Sequence, residues 1–223
     1  VGAGAAVDQA DAYDNTPLAI ACQNGHANCV ELLLGAGATV DQAGAEGYTP
    51  LHAACQEGHL DCAQLLVGAG AAVDQADAYD NTPLIISCLI GHANCVELLL
   101  GAGAAVDQAN ANGNTPLVIS CRHGHADCVQ LLSAYGASRV VAFEGFAVLA
   151  EHTAERFGHP ETLLWLQQTR HWTPLHHLEQ LTLQRLRHLL RSGANLHSKP
   201  APGVPSPLER AQQLEPSPVT QML

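Results

Sequence analysis

Aromatic side chains are scarce in this chain: three Phe, four Tyr and two Trp make up 4% of 223 residues. With 47% apolar content, rich in Gly and Ala, the composition suits many short, closely packed helices better than one large core closed by bulky rings. No uninterrupted run of 18 or more apolar residues occurs, so no membrane helix is indicated. The N-terminus lacks the charged and apolar regions of a signal peptide, and Val1 is not an initiator Met, which predicts an internal start within a longer protein. Also missing are Gly-x-Ser-x-Gly, a Gly-Lys-Ser/Thr phosphate loop, His-Glu-x-x-His and a dinucleotide fingerprint after a strand, so no enzymatic activity and no cofactor are expected.

Basic residues are nearly absent up to position 138. Fourteen Asp/Glu stand there against Arg122 alone, a net of −13, whereas 139–223 carries seven acidic and eight basic residues, a net of +1. The acidic part repels phosphate backbones and anionic lipid, which argues against nucleic acid and membrane as partners and would steer a basic protein or peptide towards it. The alternative is a solvated acidic face that keeps the molecule soluble.

What the chain has instead is repetition. Thr-Pro-Leu recurs at Thr16, Thr49, Thr82 and Thr115, always 33 residues on, with Gly-His at Gly25, Gly58, Gly91 and Gly124 and Leu-Leu at Leu32, Leu65, Leu98 and Leu131. A period of this length predicts a stacked solenoid. Within each unit the hydroxyl of a residue such as Thr16 can cap a helix, Pro17 suits the first helical position, and Gly25 can end the helix in a left-handed conformation. A second helix is predicted from about Asn28 to Leu34, ending at Gly35-Ala-Gly37. Asp11–Asn15, Asp77–Asn81 and Asn112-Gly113 read as tight hairpin tips, because Gly, Asn and Asp tolerate positive φ.

Together, Thr-Pro-Leu, Gly-His, Val-x-Leu-Leu and Gly-Ala in this register resemble the ankyrin repeat, whose Thr-Pro-Leu-His-x-Ala signature stands intact at Thr49–Ala54. The resemblance implies an all-α solenoid of stacked antiparallel helix pairs with short β-hairpin fingers at right angles to them. The signature His is Ala19, Ile85 and Val118 in the other three units, so among these four the Thr–His hydrogen bond is expected only between Thr49 and His52.

Around these units, 1–10 matches 67–76 and reads as the tail of a truncated preceding repeat, and 11–140 as four regular repeats. Gly158-His159 and Pro160–Leu166 mark 141–172 as a degenerate repeat lacking its finger, with a first helix at about Phe146–Phe157 and only Thr169–Trp172 before the next Thr-Pro. A C-terminal repeat with a partial capping helix follows at 173–214, its Arg185, Arg187, His188 and Arg191 supplying a polar end face. Residues 215–223, with two prolines and no periodicity, are expected to be a disordered tail.

All eight cysteines fall into two columns, Cys22/55/88/121 and Cys29/62/95/128, with His26-x-x-Cys29 recurring in each unit. Thiolate and imidazole could hold zinc. The alternative is that both columns are small apolar core positions, since same-column residues on helices ~8–10 Å apart cannot meet. No metal is therefore expected, and unpaired thiols in such numbers suit a reducing compartment, cytoplasmic or nuclear. The Gly-His imidazoles are expected to hydrogen-bond the backbone of an adjacent turn. His171, His176, His177, His188 and His197 show no ligand spacing; His176 reads as the signature His with a neighbour.

The resemblance implies partner contacts from finger tips and from the ends of first helices. These are Tyr13, Asn15, Gln23 and Asn24 in unit one; Glu46, Tyr48, Gln56 and Glu57 in unit two; Tyr79, Asn81, Leu89 and Ile90 in unit three; Asn112, Asn114, Arg122 and His123 in unit four. Leu89 and Ile90 take a slot that is polar in the other three. Either they form the centre of an interface beside Tyr79, Glu57 and Arg122, or they pack under a neighbouring finger. The expectation is a monomeric, non-enzymatic protein-interaction scaffold; the other reading is a regulatory or recruiting part of an enzyme whose catalytic domain lies outside this chain.

Overall fold

A computed structural model describes residues 6–143, 146–214 and 216–223. Of the predicted repeat tail at 1–10, residues 1–5 lie outside the described residues. Four helix pairs follow the 33-residue period: α1 (Pro17–Gln23) and α2 (Ala27–Gly35), α3 (Pro50–Glu57) and α4 (Leu60–Gly68), α5 (Pro83–Ile90) and α6 (Ala93–Gly101), α7 (Pro116–His123) and α8 (Ala126–Ala134). A fifth pair, α9 (Ala150–Arg156) and α10 (Pro160–Gln168), continues the stack, first helix on first helix and second on second.

In the four regular units each first helix starts where the sequence says it must. Thr16 Oγ1 accepts the Ala19 amide at 3.1 Å and Thr82 Oγ1 that of Ile85 at 3.3 Å, while proline occupies the first turn, where its missing N–H costs nothing. At Thr49 the His52 ring closes the cap reciprocally, taking the Thr49 hydroxyl at 2.8 Å and reaching the Asn81 carbonyl in the next finger at 3.0 Å. The leucine after each proline, Leu18, Leu51, Leu84 and Leu117, is fully buried. Each such side chain contributes ~1.5–3 kcal/mol of burial, so these columns hold the stack together.

Two ladders join the units. Asp41 accepts the Ala72 amide at 3.1 Å, Asp74 that of Ala105 at 2.9 Å and Asp107 that of Ser138 at 2.8 Å, and Asp8 takes both the amide and hydroxyl of Thr39. In the second ladder, His92 Nε2 meets the Gln56 carbonyl at 3.1 Å, His125 that of Leu89 at 3.1 Å, and His159 that of Arg122 at 2.9 Å. Each ring lies over the glycine that ends the preceding first helix. Gly91 has φ 93°, and a Cβ there would sit 2.5 Å from His125 Nδ1.

The fingers are turns rather than strands in the regular units. Asp77 Oδ1 accepts the Tyr79 and Asn81 amides, both at 2.8 Å, and Ala78 N donates to the Glu46 carbonyl of the finger before it at 2.7 Å. Strand pairing occurs between β1 (Val140–Phe143) and β2 (Phe146–Leu149), antiparallel with Val140 opposite Leu149. Here the sequence reading is corrected: the helix expected from about Phe146 begins at Ala150, and the residues before it pair as strands. Val, Phe and Leu fit a strand as well as a helix, and α9 opens on Leu149 with no side-chain cap to pull its start forward. What this unit lacks is a finger on its outgoing side, where α10 ends at Gln168 and the next turn opens at Pro174.

That short link redirects the end of the chain. The first helix of the C-terminal unit is reduced to a 3-10 turn, Pro174–His176, capped by the Thr173/His176 pair at 2.8 Å. It is followed by α11 (Leu183–Arg191) and α12 (Pro207–Ala211). Leu175, Leu178, Leu181 and Leu186 form a second core with Ala134 of α8. The expected disordered tail is also corrected for 216–223: Val219, 7% exposed, enters this second core, and Thr220–Met222 forms a 3-10 turn, because that core offers an apolar surface the tail can cover. Residue 215 lies outside the described residues.

Candidate protein-binding strip

The ends of α1, α3, α5, α7 and α9 lie side by side, so the two residues before each helix-ending glycine form one strip. In order it carries Gln23/Asn24, Gln56/Glu57, Leu89/Ile90, Arg122/His123 and Arg156/Phe157. Leu89 is 37% and Ile90 46% exposed, so both side chains reach the surface of the strip. The strip is therefore amide at one end, acidic at Glu57, apolar at its centre and basic beyond. Arg122 stacks on the Phe157 ring at 5.3 Å, and Arg156 lies over the same ring at 5.9 Å. His123 stacks against His125 at 6.0 Å; burial, His125 and Arg122 all lower its pKa, keeping it neutral.

Arg156 and Phe157 were not among the residues predicted from the sequence. The signal for them is their place immediately before Gly158-His159, the same slot as Leu89-Ile90.

The finger residues divide into two sets. Tyr13, 77% exposed, and Tyr79, 55% exposed, project from their tips with Glu46 and Asn112. The Glu46 carboxylate, facing Tyr79, raises the pKa of its phenol. Asn15, Tyr48, Asn81 and Asn114 are instead half-buried at the finger base. Tyr48 Oη donates to Gln56 Oε1 at 2.5 Å and its ring packs on His52; Asn81 accepts from Asn110 at 2.9 Å; Asn114 accepts from Arg122 at 3.3 Å. These base positions serve the scaffold, because their polar atoms are already paired within it.

Acidity is also less available than the net charge suggests. The carboxylates of Asp8, Asp41, Asp74 and Asp107 are bonded to the next unit, and those of Asp11 and Asp77 are held within their own turns. Two Tyr13-side and Tyr79-side tip residues, Asp14 and Asp80, hold φ 62° and 58°.

The cysteines behave as small core residues. Every one except Cys29 is buried, and all are unpaired. Burial pushes Cys22, Cys121 and Cys128 up to about 12. The columns do approach each other diagonally: the Cys55 thiol donates to Cys95 of the following unit, which together with burial raises the Cys55 pKa. Among the described residues no three His, Cys, Asp or Glu side chains gather as a metal site, and no helix is long and apolar enough to cross a membrane.

No curated protein matches the chain. The family model for ankyrin repeats (3 copies) matches residues 1–77 and 69–142, the stretch that carries the four regular helix pairs and the strip as far as Arg122/His123. Ankyrin repeats generally mediate protein–protein interaction. With that match over more than half of its length, and with the helix pairs stacked as the resemblance implies, the chain belongs to the ankyrin-repeat family.

Proposed function

We propose that this chain is a non-enzymatic scaffold that binds a protein segment along the strip of first-helix ends. The observation that carries this reading is the exposed Leu89/Ile90 pair between Glu57 and Arg122. Exposed aliphatic side chains rimmed by opposite charges favour a segment with an apolar residue at its centre. Its basic side faces Glu57 and Glu46, and its acidic side faces Arg122 and Arg156. Two interhelical steps of ~8–10 Å separate Glu57 from Arg122, a span of ~16–20 Å that about five or six extended residues cover. The unpaired thiols, all buried except Cys29, suit a reducing compartment.

A random-peptide selection against the chain tests the reading. Enriched peptides are expected to carry an apolar centre flanked by a basic and an acidic residue about five positions apart. Leu89→Ser with Ile90→Ser should weaken them at least ~10-fold while leaving the unfolding midpoint nearly unchanged, since both side chains are partly solvated. Equal binding to the double variant would remove the strip from the site.

A further inference from the structure

Away from the strip, the short link after α10 leaves a recess of about 200 Å³ against the end of α8, lined by Ser133, Gly136, Arg139, Arg170, Trp172 and His177 among others. We propose that this recess binds a carboxylate group. Two of its residues break the repeat pattern. Ser133 stands where the earlier units have Leu34, Val67 and Leu100, and Arg139 where they have Val40, Val73 and Val106. An aliphatic side chain would suit either position of a stack, so the polar replacements need a different reason.

Ser133 is 7% exposed, and its hydroxyl is buried without a hydrogen-bond partner. Native structures seldom leave such a group unsatisfied, and a ligand in the recess would satisfy it. Arg170 keeps its donors free: its one partner is a Glu151 oxygen at 3.9 Å, and its side chain is 65% exposed. Arg139 is more committed, donating to the Leu166 carbonyl at 2.6 Å and to Thr169 Oγ1 at 2.8 Å, with Glu151 also at 3.9 Å. The ring of His177, wedged between Trp165 and Trp172, makes no side-chain hydrogen bond and is neutral.

Charge selects the ligand. Two guanidiniums set against the single Glu151 carboxylate leave one positive charge to be balanced. A monovalent carboxylate balances it. A phosphate dianion would bring surplus negative charge near Glu151, whose Oε2 is already buried and unpartnered. The guanidinium of Arg170 and the Ser133 hydroxyl supply donors of the kind a carboxylate accepts.

The chain contains two tryptophans: Trp172 lines this recess and Trp165 packs on its His177 and Arg139, so their fluorescence reports on it. The full chain is titrated with sodium acetate, with sodium chloride and with inorganic phosphate at constant ionic strength. A saturable fluorescence change with acetate and none with chloride is expected. Arg170→Gln should weaken it at least ~10-fold, the loss of a charge-assisted hydrogen bond. Ser133→Ala should weaken acetate by a smaller factor without lowering stability, because it removes an orphaned hydroxyl. No saturable change, tighter binding of phosphate, or an acetate response unaltered in Arg170→Gln would overturn the proposal. N-acetylglycine and N-acetylglutamate α-amide then compare a chain terminus with an acidic side chain as the source; preference for either supports a carboxylate site, and binding of neither overturns it.

Discussion

Gly91→Ala and Gly103→Ala form a matched pair that isolates the histidine ladder. Both glycines follow a helix with nearly the same positive φ, 93° and 95°. A side chain in that region costs ~1–2 kcal/mol, and this term is common to both substitutions. Around Gly103 there is open space, whereas a Cβ on Gly91 would sit 2.5 Å from His125 Nδ1 and 2.6 Å from Cε1. The ring would have to withdraw, losing its 3.1 Å hydrogen bond to the Leu89 carbonyl. The lost bond is worth ~0.5–1.5 kcal/mol and an off-rotamer imidazole about as much again, so Gly91→Ala should cost ~1–3 kcal/mol more than Gly103→Ala. Urea unfolding followed by far-ultraviolet circular dichroism measures the difference, with hydrogen exchange in α5 and α7 to localise it, because a stacked array can open in segments. Repeating both substitutions in a His125→Ala background should bring the two costs together. Equal costs with His125 present, or an excess at Gly91 that persists without it, would refute the claim that ring and glycine act as one joint.

Three further outcomes follow from the same coordinates. Burial first, then Arg139, His176 and Arg210, pushes the His177 pKa down from 6.5 to about 3. The unfolded chain therefore binds a proton that the folded one refuses between those values. Stability of the C-terminal unit should be full above pH 6.5 and fall on acidification by up to ~1.4 kcal/mol per pH unit, a slope that His177→Gln flattens; an unchanged slope in tryptophan-monitored unfolding would count against it. One thiol per chain should react quickly with an aromatic disulfide reagent, since Cys29 alone is exposed, and Cys29→Ser should abolish that phase. Thermal unfolding should be the same with and without EDTA; a lower midpoint in chelator would revive a metal role for the Cys and His columns.

Much of the architecture could be read locally. A capping threonine, a proline at the first helical position, a buried leucine after it and a glycine at the turn act within a few residues, so Thr16–Gly25 and its copies announced helix, stop and period. The fifth unit was less legible, because the apolar residues of 140–149 satisfy strand and helix equally and α9 has no capping side chain. Leu89 and Ile90 were identifiable as the exception to a polar slot, and Arg156/Phe157 could have been found by carrying that slot one unit further. Asn15, Asn81 and Asn114 point the other way. The sequence reading places them at the partner surface, although their near-repetition could have marked them as scaffold residues, and hydrogen bonds at the finger base hold Asn81 and Asn114.

The sequence by itself determined the family, the helix pairs and the core columns, because each depends on residues near one another in the chain and is repeated until chance is excluded. Only the tertiary structure decided which polar groups are free. Asp8, Asp41, Asp74 and Asp107 count as charge in the sequence but hold the next unit's backbone in space. Ser133 and Arg170 lie 37 positions apart and meet because a missing finger lets the C-terminal unit fold back onto α8. Proximity of that kind is set by how units pack, and no local pattern encodes it.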